Sequence, residues 1–156
     1  MDDLDTLRRI LLECRVIAVV GLSANWHRPS HFAAKYLQEH GYRVIPVNPH
    51  YREVLGEKCY ASLRDVPEPV DMVEVFRKTA DVLPIAQDAA AIGARVLWQQ
   101  LGVRCEPAAD FARARGLKAV MDRCVKIEHA RLFGGLNWVG VNTRVVSAKR
   151  PRWLPY

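Results

Sequence analysis

Five cations cluster near the ends of short β-branched runs in this chain: His27, Arg28, Arg52, Arg77 and Lys78. The chemistry they suit is phosphate binding, because guanidinium and ammonium groups make charge-assisted hydrogen bonds to phosphate oxygens. Arg28 closes a loop that opens on Gly21 and leads into Pro29 and Ser30. A glycine turn running into a helix start aims backbone N–H groups and the positive end of the helix at one spot. Other chemistries are less well supplied. Asp71, Glu74 and Glu106 make no obvious acid–base pair, and no G-x-S-x-G elbow accompanies the five scattered histidines. His27 and His31 flank the phosphate loop and read as phosphate contacts or surface residues. Asp122-Arg123-Cys124 with Glu128 and His129 supplies only half a metal site, so a salt-bridge network at a strand end and its following turn is expected there. Cys14, Cys59, Cys105 and Cys124 lie far apart with no C-x-x-C pair, which favours reduced thiols over disulfides or structural zinc.

The elements that must position these residues alternate along the chain. Asp3 is suited to cap a first helix with Leu4, Leu7, Ile10 and Leu11 on one face. Val16-Ile17-Ala18-Val19-Val20 is an uninterrupted apolar run, as a strand buried on both faces requires. A helix follows over about residues 29–40, with proline in its first turn and Gly41 at its end, and Phe32, Tyr36 and Leu37 as its expected apolar face. A second strand spans 42–47 and is stopped by Asn48-Pro49, which completes a right-handed βαβ unit. Residues 51–69 form a longer connection with a short helix near Ser62. A third strand at 71–76 leads to a helix capped by Asp81 and ending at Gly93. Strands at 94–98 and 117–121 bracket a helix over 106–115. This alternation predicts an open, doubly wound, mostly parallel sheet of five or six strands, covered on both faces. A further strand is expected at 145–147, within a basic extension over 134–156 that follows the domain at 1–133.

Composition narrows the function. At 156 residues and half hydrophobic, the chain is one ordinary domain with a sizeable core. No apolar run approaches the roughly 20 residues of a membrane helix, and the acidic start Met1-Asp2-Asp3 is wrong for a secretory signal, so a cytoplasmic protein is expected. The net charge is +6, but six basic residues and only one acid fall from Lys126 onward. Charge confined to a tail argues against nucleic acid as the partner. An NAD site wants G-x-G-x-x-G after the first strand and an acid after the second. Only Gly21 and Asn48 stand there, and no G-K-[ST] follows Gly21.

Six segments taken in order resemble the stand-alone CoA-binding domain family, small bacterial proteins similar to the N-terminal domain of the succinyl-CoA synthetase alpha subunit. They are residues 16–30, 42–49, 69–77 and 98–103, with Gly56-Glu57-Lys58-Cys59-Tyr60 and Met121-Asp122-Arg123-Cys124. The resemblance implies a Rossmann-like αβα sandwich that binds coenzyme A or an acyl-CoA, without a known reaction. Carried over by position, Gly21, Ser23, Ala24, Asn25, Arg28, Pro29 and Ser30 wrap the diphosphate. Val47, Asn48 and Pro49 lie along the nucleotide, with Tyr51 where the synthetase has a lysine. Phe76, Arg77 and Lys78, and Trp98 and Gln100, correspond to two further walls. The phosphohistidine domain of the synthetase has no counterpart here, so its ligase chemistry is not expected. Cys105 is expected at the N-cap of the helix at Glu106, where an inert small residue is the favoured reading and a thiol that faces the ligand rim and forms a mixed disulfide with CoA under oxidation is the alternative. An NAD(P)-linked enzyme or redox sensor using the same loop is the alternative, and a nucleic-acid-binding regulator a third.

Overall fold

The computed structural model describes residues 3–134. The extension beyond it, including the strand expected at 145–147, lies outside the described residues. Five helices and seven strands follow in chain order: α1 Leu4–Glu13, β1 Val16–Val20, α2 Pro29–Glu39, β2 Arg43–Val47, β3 Glu53–Val54, β4 Glu57–Lys58, β5 Met72–Val75, α3 Val82–Ala91, β6 Val96–Gln99, α4 Glu106–Ala114, β7 Lys118–Val120 and α5 Val125–Phe133. Five strands form one parallel sheet in the order β2-β1-β5-β6-β7. The order reverses at β1 and β5, so the chain leaves those two strand ends in opposite directions and opens a crevice there.

The pleat of the sheet divides the core into two layers. Ile17, Val19, Met72 and Trp98 point to the face covered by α1, α2 and α5, where Leu7, Leu37 and Val125 meet them. Ala18, Val20, Val73, Val75 and Leu97 point to the other face, under Ala86 and Ala89 of α3 and Ala108 and Ala112 of α4. The result is the three-layer αβα sandwich. Asp3 caps α1 as expected, its side chain accepting the Thr6 N–H at 2.6 Å. All four cysteines are free. No helix among the described residues is long and apolar enough to cross a membrane.

Several local expectations are corrected. The buried face of α2 is Ser30, Ala33, Ala34 and Leu37, whereas Phe32 is 48% exposed and Tyr36 half-buried. Small side chains let this helix lie close against the sheet. Asp81 makes no side-chain cap, because its backbone is already helical and a short 3₁₀ turn over Thr79–Asp81 runs directly into α3. The connection after β2 contains a small hairpin, β3 against β4, turned by Leu55 and Gly56, both with positive φ. Residues 125–133 are a full helix rather than the turn expected after β7.

Candidate functional site

The site is built where β1, β2 and β5 end. Gly21 takes φ +86°, and a Cβ placed on it would run into the Phe76 carbonyl oxygen and lie 3.3 Å from Cδ of Arg77. Only glycine lets β1 turn this close to the end of β5. The Gly21 N–H donates to the Val47 carbonyl at 2.8 Å, which ties the turn to β2. The loop that follows is held by its own polar side chains. The Ser23 N–H donates to Oγ of Ser30 at 3.1 Å, the Asn25 N–H to Oγ of Ser23 at 3.1 Å, and the His27 N–H to Oδ1 of Asn25 at 3.0 Å. Asn48, buried after β2, donates from Nδ2 to the Leu22 carbonyl at 3.1 Å and accepts the His50 N–H at 3.0 Å on Oδ1. A carboxylate could not make the first of these bonds, which accounts for an amide where a ribose-binding acid would otherwise stand. No side chain caps α2, whose first residue is Pro29 and whose N-cap is Arg28. The start of this helix is thus presented uncapped to the cleft above it.

That cleft has a volume of about 550 Å³. One end is the loop and helix start, with Gly21, Ser23, Arg28, Pro29 and Ser30. Asn48 and Tyr51 form a side wall, where the Tyr51 hydroxyl stands 3.5 Å from Oγ of Ser23. The far end is made of Phe76, Gln100, Leu101, Cys124 and Ile127 and carries no formal charge on its surface. A second cleft of about 410 Å³ lies across the strand ends, lined by Val47, Pro49 and Arg77 together with Leu63, Pro84 and Asp88 among others. Neighbouring residues therefore open to opposite sides: Val20 and Gly21, Pro49 and Asn48, Arg77 and Phe76. The strand ends form a ridge between the two clefts.

The structure thus gathers nine of the residues singled out from sequence in the first cleft and three in the second. Ala24, Asn25 and Lys78 are exposed and line neither. Trp98 is a correction: it is fully buried, and its indole N–H donates to the Arg123 carbonyl at 2.8 Å, so it belongs to the core beneath the site. The five cations do not share one rim, since Arg28 faces one cleft, Arg77 the other, and His27, Arg52 and Lys78 neither. Cys105 stands at the N-cap of α4 as expected, without a side-chain cap bond, but it does not line the first cleft. It is buried in the layer of α3 and α4, away from the first cleft, where Cys124 is the thiol that lines the wall. Burial, with smaller help from the charge of Glu74, pushes the Cys124 thiol above its ordinary value.

The expected salt-bridge network at the start of α5 is present. The fully buried Glu128 accepts from Arg123 at 3.3 Å and from Arg131. His129 shares a 2.9 Å hydrogen bond with the Tyr36 hydroxyl, and burial lowers its pKa. No group able to hold a metal ion occurs among the described residues. The residue that sequence reasoning passed over is Glu74. It is fully buried on β5, between Val19 and Trp98 of the adjacent strands. Gln100 donates from Nε2 to its Oε1, and Oε2 has no partner among the described residues. Burial pushes its carboxyl up to about 8. An acid in the middle of an otherwise apolar run, Met72-Val73-Glu74-Val75, was the signal that could have found it.

Known proteins resemble this chain in sequence and in fold. Residues 15–130 match the family model described as CoA binding domain. The chain is 39% identical to protein YneT of Bacillus subtilis (strain 168) over 124 residues, which is 80% of this chain and 92% of that one. A 58-residue stretch, 37% of this chain, is 40% identical to an ADP-forming acetate–CoA ligase of Archaeoglobus fulgidus and spans 8% of that protein. Among solved structures, a hypothetical protein from Pyrococcus horikoshii OT3 superposes with a TM-score of 0.83 at 40% identity, over 85% of this chain and 94% of the other.

Proposed function

The chain belongs to the CoA-binding domain family, and from that premise we propose that its two clefts together hold coenzyme A or an acyl-CoA. The observation that carries this reading is the first cleft, where Gly21, Ser23, Ser30 and Arg28 surround an uncapped helix start. The diphosphate rests there, on backbone N–H groups and the Arg28 guanidinium. The nucleoside crosses the ridge toward Pro49 and Arg77, and the pantetheine arm runs along the uncharged wall toward Gln100 and Cys124. The relationship to an ADP-forming acetate–CoA ligase supports the choice of CoA. The ligase reaction is not carried over, because the shared stretch is a small part of that enzyme.

The proposal is binding without chemistry. No histidine lines the first cleft among the described residues, and its one thiol, on Cys124, is held protonated by burial. An NAD-type site is disfavoured because Asn48 spends its amide on the Leu22 carbonyl. The four free thiols support a reducing, cytoplasmic setting.

Thermal unfolding of the full chain with CoA, dephospho-CoA, NAD, NADP and a DNA duplex tests the reading. A ligand at about 100 times its Kd stabilises by roughly 2.7 kcal/mol. CoA is expected to give such a shift, weakened about ten-fold in affinity by Arg28→Ala through the loss of a charged hydrogen bond. No shift with CoA beside a clear one with NAD would overturn it.

A further inference from the structure

We propose that Glu74, acting through Gln100, makes the far end of the first cleft select a thioester: the site recognises the acyl carbonyl of an acyl-CoA while Glu74 holds a proton, and loses that preference when Glu74 ionises. The inference rests on the coenzyme A reading and concerns the end of the ligand remote from its phosphates.

Three observations carry it. Gln100 belongs to both environments, lining the cleft and bonding Glu74 behind it. Glu74 is completely buried, with one oxygen unpartnered among the described residues. The cleft around Gln100 is otherwise uncharged, formed by Phe76, Leu101, Cys124 and Ile127. A buried polar atom without a partner is rare enough in a folded protein to require a reason.

The chemistry follows from what a carboxyl and an amide can exchange. A carboxylate only accepts, so Gln100 must turn its NH₂ inward and leave its carbonyl to the cleft. A carboxylic acid carries an O–H that needs an acceptor. Keeping the amide in that first orientation would strand this donor in the core, whereas turning the amide over lets the O–H donate to the Gln100 carbonyl. The NH₂ then faces the cleft and donates to a carbonyl oxygen of the ligand. One proton on Glu74 thus converts the cleft wall from acceptor to donor.

The surroundings leave this proton to be governed mainly by burial. The neighbours of Glu74 on β1 and β6, Val19 and Trp98, are uncharged. From the start of α5, Cys124 faces it, with Lys126 acting on that thiol. Farther along α5, Glu128 is balanced by Arg123 and Arg131, and His129 bonds Tyr36 of α2. Burial pushes the Glu74 carboxyl up to about 8, which places the switch within reach of ordinary buffers.

Calorimetric titration of the full chain with acetyl-CoA and with S-ethyl-CoA, which lacks only the carbonyl, isolates the effect. Both ligands carry the same phosphates, so their titration cancels in the ratio of affinities. The expected preference for acetyl-CoA is about five-fold near pH 6, the worth of one hydrogen bond, and it disappears by about pH 9, above the carboxyl's transition. Glu74→Gln supplies a permanent donor to Gln100, so its preference persists at alkaline pH; Gln100→Leu has none at any pH. A ratio independent of pH in the unaltered protein, or one that still collapses in Glu74→Gln, overturns the proposal. Failure of both ligands to bind at every pH overturns the coenzyme A reading itself, a distinguishable result.

Discussion

Two carboxylates three residues apart near β5 live in opposite circumstances. Asp71, just before the strand, accepts the N–H groups of Arg15 at 2.8 Å and Val16 at 2.9 Å on Oδ2, and pairs with Arg95 at 2.9 Å through Oδ1. Partial burial works against its charge, but the hydrogen bonds from Val16 and Arg15 and the Arg95 guanidinium outweigh it and hold the carboxyl below its usual range. Among the described residues, Glu74 has an amide for its sole hydrogen-bond partner, no ion pair and one orphaned oxygen. The first carboxylate fastens β1, β5 and the start of β6 together at the amino end of the sheet. The second sits beneath the cleft and opposes folding whenever it is charged. Ionic fastening and an unpaired buried carboxyl thus lie at opposite ends of the same strands, the carboxyl at the end that borders the cleft proposed to bind.

The largest expected effect breaks or upholds this contrast directly. Below about pH 4.5 the folded and unfolded chains both keep the Glu74 proton. Between there and about pH 8 the unfolded chain releases it and the folded chain does not, so stability falls by about 1.4 kcal/mol per pH unit from this group, then levels off. Glu74→Gln removes that slope. Its advantage over the unaltered protein should grow to roughly 5 kcal/mol at alkaline pH, read from urea unfolding across the range. Parallel pH profiles for the two proteins would mean that Glu74 ionises near its ordinary value, and the contrast would collapse.

Asp71→Asn should act in the opposite sense, costing about 1–3 kcal/mol at neutral pH because two backbone donors lose a carboxylate. Here the sign reverses. The lowered carboxyl contributes stability above its unfolded value of 3.8 and loses it as pH falls through the folded value. The deficit of the variant should therefore shrink in acid, which unfolding followed by circular dichroism would record. The smallest effect is expected for Arg95→Met. Its guanidinium is largely solvent-exposed, so the loss should be about 0.5 kcal/mol and should fade in high salt. A loss as large as that of Asp71→Asn would show that the ion pair, rather than the backbone hydrogen bonds, secures this end of the sheet.

Much of the architecture was legible because apolar runs and glycines mark it. Val16–Val20, the Gly21 turn and the Asp3 cap stand where the sequence puts them. What was hidden was hidden for physical reasons. The inward face of α5 carries Glu128 and His129, polar residues satisfied by Arg123, Arg131 and Tyr36, so apolar spacing could not reveal a helix there. On α2 the large aromatics looked like core, yet the close approach to the sheet admits Ala33 and Ala34 and turns Phe32 outward, toward Lys126 at 5.9 Å. The glycine turn and the loop that leads into α2 along the first cleft were legible. The division of that cleft from the second was not, because successive residues at a strand end point to opposite faces, sending Phe76 one way and Arg77 the other. Trp98 was misplaced for the same reason, as its parity turns it into the core beside Glu74.

On the proposed binding mode, the ridge at Gly21 would also set how affinity is assembled. A molecule lying over it is in effect two weak ligands joined by a short tether, one on each side. Once the half in the larger cleft is seated, the other meets its cleft at the high effective concentration the tether imposes, with no new contact needed to raise the overall affinity. A bulkier residue in place of Gly21 would do more than crowd the proposed ligand. Its Cβ would run into the Phe76 carbonyl and force the ends of β1 and β5 apart, and the two halves would again bind as strangers.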